Sequence, residues 1–327
     1  MTRAKGRENQ ARVAFDLDPV LAAAWYYYQD ELTQGATAEL LGVSRATVVN
    51  YLHEARTRGI VQISLAPEVR APVGLALELA NRYGLDGCLV IPAAPAGVAA
   101  PGAPPAERIG TAGARVLVSL LRPDMTLGVA WGRTVLALSV ALPVLRIRDL
   151  SVVQITGSMM ATYAFSPELC TTNIASRLGG RCVNLHAPGL TSHASVKDVL
   201  MREPTLVQQF DLIRKSDAVV FGVADVEPET VGFVFGNYRR APSDVVPESA
   251  VAIIAGRFID GKGRPVDGTL DARMIGLTPE EIRAIPTRLC VAGGPSKVDA
   301  LRAALGGGYA TLFVTDEATA RAVLARV

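Results

Sequence analysis

From Cys88 onward, short runs of almost wholly apolar residues alternate with stretches whose apolar residues recur every three to four positions, and few folds accept that arrangement. The apolar runs are Cys88–Ile91, Thr126–Ala130, Leu150–Thr156, Cys182–Leu185, Ala218–Val223, Ala250–Ala255, Leu289–Ala292 and Thr311–Val314. A strand with one wet face alternates apolar and polar residues, whereas a strand that is apolar throughout carries helices over both faces. Helical periodicity over Ala106–Leu121, Thr134–Leu142 and Glu168–Leu178 fills the gaps between the early strands. The pattern predicts a doubly wound, mostly parallel α/β domain, a fold in which ligands bind where strands end and loops begin.

At 327 residues the chain is long for a single core, so one small and one large unit are expected. The spacing divides it into a tail (1–18), a helical head with a wing (19–66), a connecting helix (67–85) and a large α/β domain (86–327). Half the residues are hydrophobic, which supplies a core and argues against disorder. No run of about 18 uncharged apolar residues occurs, and Met1–Asp18 is polar and charged, unlike a signal peptide; a cytoplasmic protein without a membrane partner is expected. Cys88, Cys170, Cys182 and Cys290 lie far apart with no CxxC or His-partnered spacing, so reduced thiols are expected, with no metal and no cofactor. The net charge of +2 favours neither nucleic acid nor membrane. A DNA partner has to be argued from local pattern.

That pattern lies near the start. Leu21, Ala24, Trp25 and Tyr28 mark a helix over Pro19–Glu31, Thr37–Leu41 a second one closed by Gly42, and Ser44 is suited to cap a third running through Ala55. Val48, Tyr51, Leu52 and Ala55 would face inward on the third helix; Arg45, Thr47 and Asn50 would face out. A small Ala38 at the crossing, Gly42 in the turn, and Val43 with Val48 as anchors meet the needs of a helix-turn-helix. A plain helical hairpin would need neither the capped second helix nor the alternating segment Ile60–Leu65, which reads as a wing strand. With the start of the third helix in a major groove, Arg45 can donate to guanine or phosphate and Asn50 can pair with adenine. Ser44 and Thr47 can meet phosphates or bases, and Arg56, with Arg58, the backbone. Further on, Pro67–Pro72 breaks the pattern, and Pro72 is expected at the first position of the connecting helix, whose stripe is Leu75, Leu79 and Tyr83. Pro92–Pro105 reads as a surface loop.

Three glycine loops follow predicted strands. In Gly128–Thr134, Gly132 permits close approach to a helix start, while Arg133 and Thr134 add a charge and a hydroxyl; Gly157-Ser158 and Gly222 place more open backbone at the same sheet edge. Lys297, after Gly293-Gly294-Pro295-Ser296, opens a helix where a lysine opposes the helix dipole, which points to an anionic partner.

The residues Tyr26-Tyr27-Tyr28, Gly42-Val43-Ser44-Arg45 and Ala55-Arg56-Thr57-Arg58-Gly59-Ile60-Val61-Gln62-Ile63 resemble the head of the SorC family of sugar-binding transcriptional regulators. Trp131-Gly132-Arg133-Thr134, Leu185-His186-Ala187-Pro188, Ala292–Lys297 and Thr315-Asp316-Glu317 extend the likeness to the family's effector domain, so that it spans about residues 19 to 327. The resemblance implies a body similar to phosphosugar isomerases but used for sensing, homo-oligomers (dimers or tetramers), and a role for Lys297 in effector binding. Two departures stand out: Val251–Phe258 has no acid where many relatives carry one before Gly-Arg-Phe, and Asn50 stands where a basic residue is common. The resulting expectation is a DNA-binding regulator, repressor or activator, whose operator affinity is set by a small sugar, polyol or sugar phosphate. The alternative is a sugar-phosphate isomerase-like enzyme. It would need a positioned acid/base set, and His53, His186 and His193 lie in no recognisable catalytic motif, while Asp217 and Asp225 at strand ends read as caps or solvated groups.

Overall fold

The computed structural model describes residues 18–61, 67–92, 105–159, 165–235 and 246–325. The expected tail, the wing strand from Gln62 onward and the loop over 93–104 lie outside the described residues, apart from Asp18 at the tail's end. The chain divides into two compact units, Met1–Ala66 and Pro67–Val327.

The first unit is built from helices α1 (Pro19–Tyr28), α2 (Gln34–Leu41) and α3 (Arg45–Thr57). Each start is capped by a short oxygen-bearing side chain: Asp18 accepts from the Val20 N–H, Thr33 from Ala36 and Ser44 from Thr47. Gly42 ends α2 at φ 67°, a left-handed geometry that side chains resist. The core joins Ala23, Ala38, Val48 and Leu52, with Val20, Ala24 and Ala55 beside them. Half of the α1 stripe read from the sequence faces the core, Ala24 buried and Tyr28 packed against it, but Leu21 and Trp25 are exposed, and small Ala22 and Ala23 are buried instead. Close helix crossings favour alanine over bulk there.

In the second unit, a seven-stranded sheet runs in the order β1 (Gly87–Ile91), β10 (Leu312–Asp316), β9 (Thr287–Val291), β5 (Ala218–Phe221), β2 (Thr126–Val129), β3 (Ser151–Gln154), β4 (Arg181–Val183). All its pairings are parallel. Successive strand residues serve opposite faces. Val152, Val220 and Leu289 join one core with Ile109, Leu117 and Leu138; Val153, Val219 and Cys290 join the other with Phe210, Leu301 and Val323. The first core lies under α5 (Pro105–Leu120), α6 (Arg133–Ala141) and α7 (Pro167–Leu178). The second lies under α4 (Pro67–Tyr83), α9 (Pro204–Arg214), α11 (Pro279–Ala284), α12 (Val298–Gly306) and α13 (Glu317–Ala325). The remaining helices are α8 (Ala194–Leu200) and α10 (Pro228–Phe235). No helix among the described residues is long and apolar enough to cross a membrane.

Three sequence expectations are corrected. The connecting helix begins at Pro67, with Pro72 inside it, because Pro67 itself takes the first position and needs no N–H partner. The run Ala218–Val223 is two strands: it leaves the parallel sheet at Gly222 and enters a separate one as β6 (Val223–Ala224). The run Ala250–Ala255 also belongs to that second sheet, as β7 (Ala250–Ile254), antiparallel both to β6 and to β8 (Arg257–Asp260).

Candidate functional site

In the first unit, Ser44, Arg45, Thr47, Asn50 and Arg56 lie on α3, whose opposite side, Val48, Leu52 and Ala55, is buried. Arg45 and Asn50 are exposed at its first two turns, and Arg56 is exposed near its end. Ser44 Oγ takes the Thr47 N–H at 3.1 Å and lies 2.8 Å from Thr47 Oγ1, which engages both hydroxyls locally. Arg45 Nε donates to Gln34 Oε1 at 3.2 Å, which steadies the guanidinium across the turn. Arg58 is paired with Glu54 and, at 3.6 Å, with Asp18. Val49, 43% exposed on the same face, was not singled out from sequence, since an apolar residue there reads as core.

In the second unit, the chain steps outward from β2 to β3 and β4, then returns to lay β5 against the other side of β2 and continues through β9 and β10. Winding therefore reverses between β2 and β5, and their carboxyl ends part to leave a crevice. A cavity of about 270 Å³ opens there, lined by Trp131, Gly132, Arg133 and Thr134 after β2 and by Gly222 and Asp225 after β5. Phe165, Val234, Ile253 and Lys297 close it from other segments. Gly132, at φ 131°, has no side chain to cap α6, so the first-turn amides of Arg133 and Thr134 border the cavity.

Five of the seven effector residues expected from sequence, Gly132, Arg133, Thr134, Gly222 and Lys297, thus meet in one cavity. Gly157 and Ser158 do not line it. Their N–H groups donate to the Ile275 and Ala187 carbonyls at 2.9 and 2.8 Å, and a Cβ on Gly157 would stand 2.6 Å from the Pro188 oxygen. This glycine permits close backbone packing and exposes no amide.

Lys297 sits in a 3₁₀ turn (Pro295–Lys297) that leads into α12. Among the described residues its ammonium has no hydrogen bond or ion pair. Burial pushes the ammonium below the usual lysine pKa; the Asp225 carboxylate pulls it back up and the Arg133 guanidinium pushes it further down. The turn is braced from behind. Asp316 Oδ2 accepts from Thr319 Oγ1 at 2.7 Å, and that hydroxyl oxygen accepts the Gly294 N–H at 2.8 Å. A Cβ on Gly293 would lie 2.4 Å from Asp316 Oδ2, so glycine is needed for the fit.

Asp225, read from the sequence as a cap or solvated group, is 7% exposed and lines the cavity. Asp217 does act as a backbone acceptor, taking the Thr126 N–H at 2.7 Å. Among the described residues Asp225 accepts only the Glu227 N–H, at 3.3 Å to Oδ1. No histidine is among the lining residues, and His53, His186 and His193 are exposed. Cys170, beside the Gly132 backbone, is buried and its thiol is pushed up to about 12, a state that suits packing rather than nucleophilic attack.

Comparison with known proteins adds the following. Residues 68–325 match a family model described as "Putative sugar-binding domain". The chain is 33% identical over 313 residues to the uncharacterized transcriptional regulator YjhU of Escherichia coli (strain K12), covering 95% of each chain. It is 29% identical to the transcriptional regulator LsrR of Klebsiella pneumoniae subsp. pneumoniae, covering 94% of this chain and 92% of the relative. In fold it matches the crystal structure of the full-length sorbitol operon regulator SorC from Klebsiella pneumoniae, with a TM-score of 0.72 at 23% identity over 94% of this chain and 99% of that one.

Proposed function

Because this chain belongs to the SorC family of sugar-binding transcriptional regulators, we propose that α3 reads operator DNA and that a small sugar, polyol or sugar phosphate in the switch-point cavity sets operator affinity. The observation that carries the sensing half is Lys297: a partly buried ammonium, unpaired among the described residues, facing a cavity that also borders the first-turn amides of α6. Such a group is costly when the cavity is empty and is stabilised by an anion. On the DNA side, Arg45 and Asn50 contact bases, Ser44, Thr47 and Arg56 contact phosphates, and exposed Val49 offers an apolar contact to a thymine methyl. Residues 19–66 are the DNA-binding head, 67–85 the connecting helix and 86–327 the effector domain. The protein is cytoplasmic and acts as a homo-oligomer, dimer or tetramer, so that paired α3 helices meet paired half-sites; light scattering of the purified protein measures the assembly.

The test is a gel-shift titration on DNA upstream of the chain's own gene, with a panel of free and phosphorylated sugars and polyols. One compound shifts operator affinity, and Lys297→Ala keeps DNA binding while losing that response. A panel without effect on wild-type binding removes the sensing role, and absence of preference for that DNA over random duplex removes the reading of α3. The sequence alternative, a sugar-phosphate isomerase, gains no support from a cavity lined by no histidine, and a turnover assay on the same panel measures it directly.

A further inference from the structure

The cavity is electrically lopsided. Its cations, Arg133 and Lys297, come from the start of α6 and from the turn before α12, whereas the stretch after β6 contributes Asp225, Glu227 and Glu229. Glu227 and Glu229 are exposed and solvated, but Asp225 is more than nine-tenths buried and has one carboxylate oxygen without a hydrogen-bond partner among the described residues. The neighbouring walls, Val223, Val234, Ile253 and Ala255, are apolar, and the other uncharged side-chain groups nearby are the Thr230 hydroxyl and the Trp131 indole N–H, which has no partner among the described residues. Asp225 is the buried carboxylate available to accept from a ligand hydroxyl that enters this part of the cavity, and an unpaired polar group in an apolar surround is strongly disfavoured. An anionic group entering there would meet the carboxylate in poorly solvated space, where like charges repel far more than in water.

We propose that Asp225 is the residue that selects the effector, accepting hydroxyl hydrogens and turning away a second anionic group, so that the cavity takes a polyhydroxy compound with one anionic end. The inference rests on reading the cavity as the effector site. Ala224 pairs with Ile253 across β6 and β7, which puts Asp225 beside the strand segment where the sequence lacks an acid, so the carboxylate is supplied from the neighbouring strand's exit.

The experiment is a calorimetric titration of the full-length protein with three probes: inorganic phosphate, fructose 6-phosphate and fructose 1,6-bisphosphate. The wild type binds the monophosphate at least tenfold more tightly than the bisphosphate. Asp225→Asn erases that ratio and binds inorganic phosphate at least threefold more tightly, because the repulsion is gone while Lys297 remains. A wild type that binds the bisphosphate as tightly as the monophosphate overturns the proposal without any variant being needed. So does an Asp225→Asn protein with unchanged phosphate affinity. Should neither hexose bind, the phosphate comparison decides alone in the same direction. Lys297→Ala separates the two levels of argument: if it leaves phosphate affinity unchanged, the cavity is not the anion site, whereas loss of phosphate binding in Lys297→Ala together with no effect of Asp225→Asn removes only the selection.

Discussion

Replacing Gly110 with alanine should destabilise the large unit, although the same exchange in a helix is ordinarily favourable. A Cβ on Gly110 would stand 2.6 Å from Ala137 Cβ, 2.6 Å from Leu138 N and 2.8 Å from Ala137 C, where carbon atoms normally approach no closer than about 3.5 Å. Two of the three opposing atoms are backbone of α6, so relief requires α5 and α6 to separate by about 1 Å, overpacking that costs about 1–3 kcal/mol. Helix propensity returns about 1 kcal/mol, for a net loss of up to about 2 kcal/mol. Gly74, in α4, supplies the control: a Cβ there meets nothing within 4 Å, and Gly74→Ala should gain about 0.5–1 kcal/mol. The chain has two tryptophans, Trp25 in the first unit and Trp131 in the second, so a Trp25→Phe background lets Trp131 fluorescence report urea unfolding of the second unit alone. Because α6 opens with Arg133 and Thr134, Gly110→Ala should also weaken phosphate binding. Greater stability for Gly110→Ala, or a loss for Gly74→Ala, would refute the steric reasoning.

Thr319→Val should lower stability by about 1–3 kcal/mol and weaken phosphate binding, since the Gly294 N–H and the Asp316 carboxylate both lose a partner; Thr319→Ser should restore both, and equal effects of valine and serine would show that the hydroxyl is irrelevant. Phosphate affinity should fall as pH rises toward 10.5, because the folded-state pKa of Lys297 lies below that value and the cation is lost earlier than in a free lysine. In the same window the stability of the ligand-free protein should rise relative to Lys297→Met, as the unfolded chain then holds more protons; a phosphate affinity that is flat with pH in the wild type would contradict the assignment. Leu52→Ala, at a position 4% exposed in the small core of the first unit, should cost about 2–5 kcal/mol and abolish DNA binding, read from Trp25 fluorescence and gel shift; intact operator binding would argue against α3 as the reading helix.

What the sequence made legible was local. Ser44 and Gly42 are a cap and a turn whose chemistry is completed within three residues, and both were readable without any tertiary information. The strands that cover two cores announced themselves by being apolar throughout. Pairing was not legible: Ala250–Ile254 is as apolar as the central strands, yet it lies in an antiparallel ribbon, since hydrophobicity records burial and not the neighbour that causes it. Leu21 and Trp25 in the α1 stripe were misplaced for a related reason, because alanines at a close crossing carry little hydrophobic signal while these exposed residues carry much. In the cavity, residues next to strand ends were found by position, but Asp225 was missed. A carboxylate after a strand reads as a solvated cap until Val234 and Ile253 are seen beside it.

The pairing of β1 with β10 joins Gly87 to Leu312 and Ile91 to Asp316, residues separated by most of the second unit. During synthesis the earliest strand of the sheet must therefore wait for the last one to leave the ribosome, while the three helices of the first unit already have all their mutual contacts in hand. A chain interrupted before residue 312 would keep the helices of the first unit yet leave β1 without its hydrogen-bonding neighbour, an open edge that invites aggregation or proteolysis.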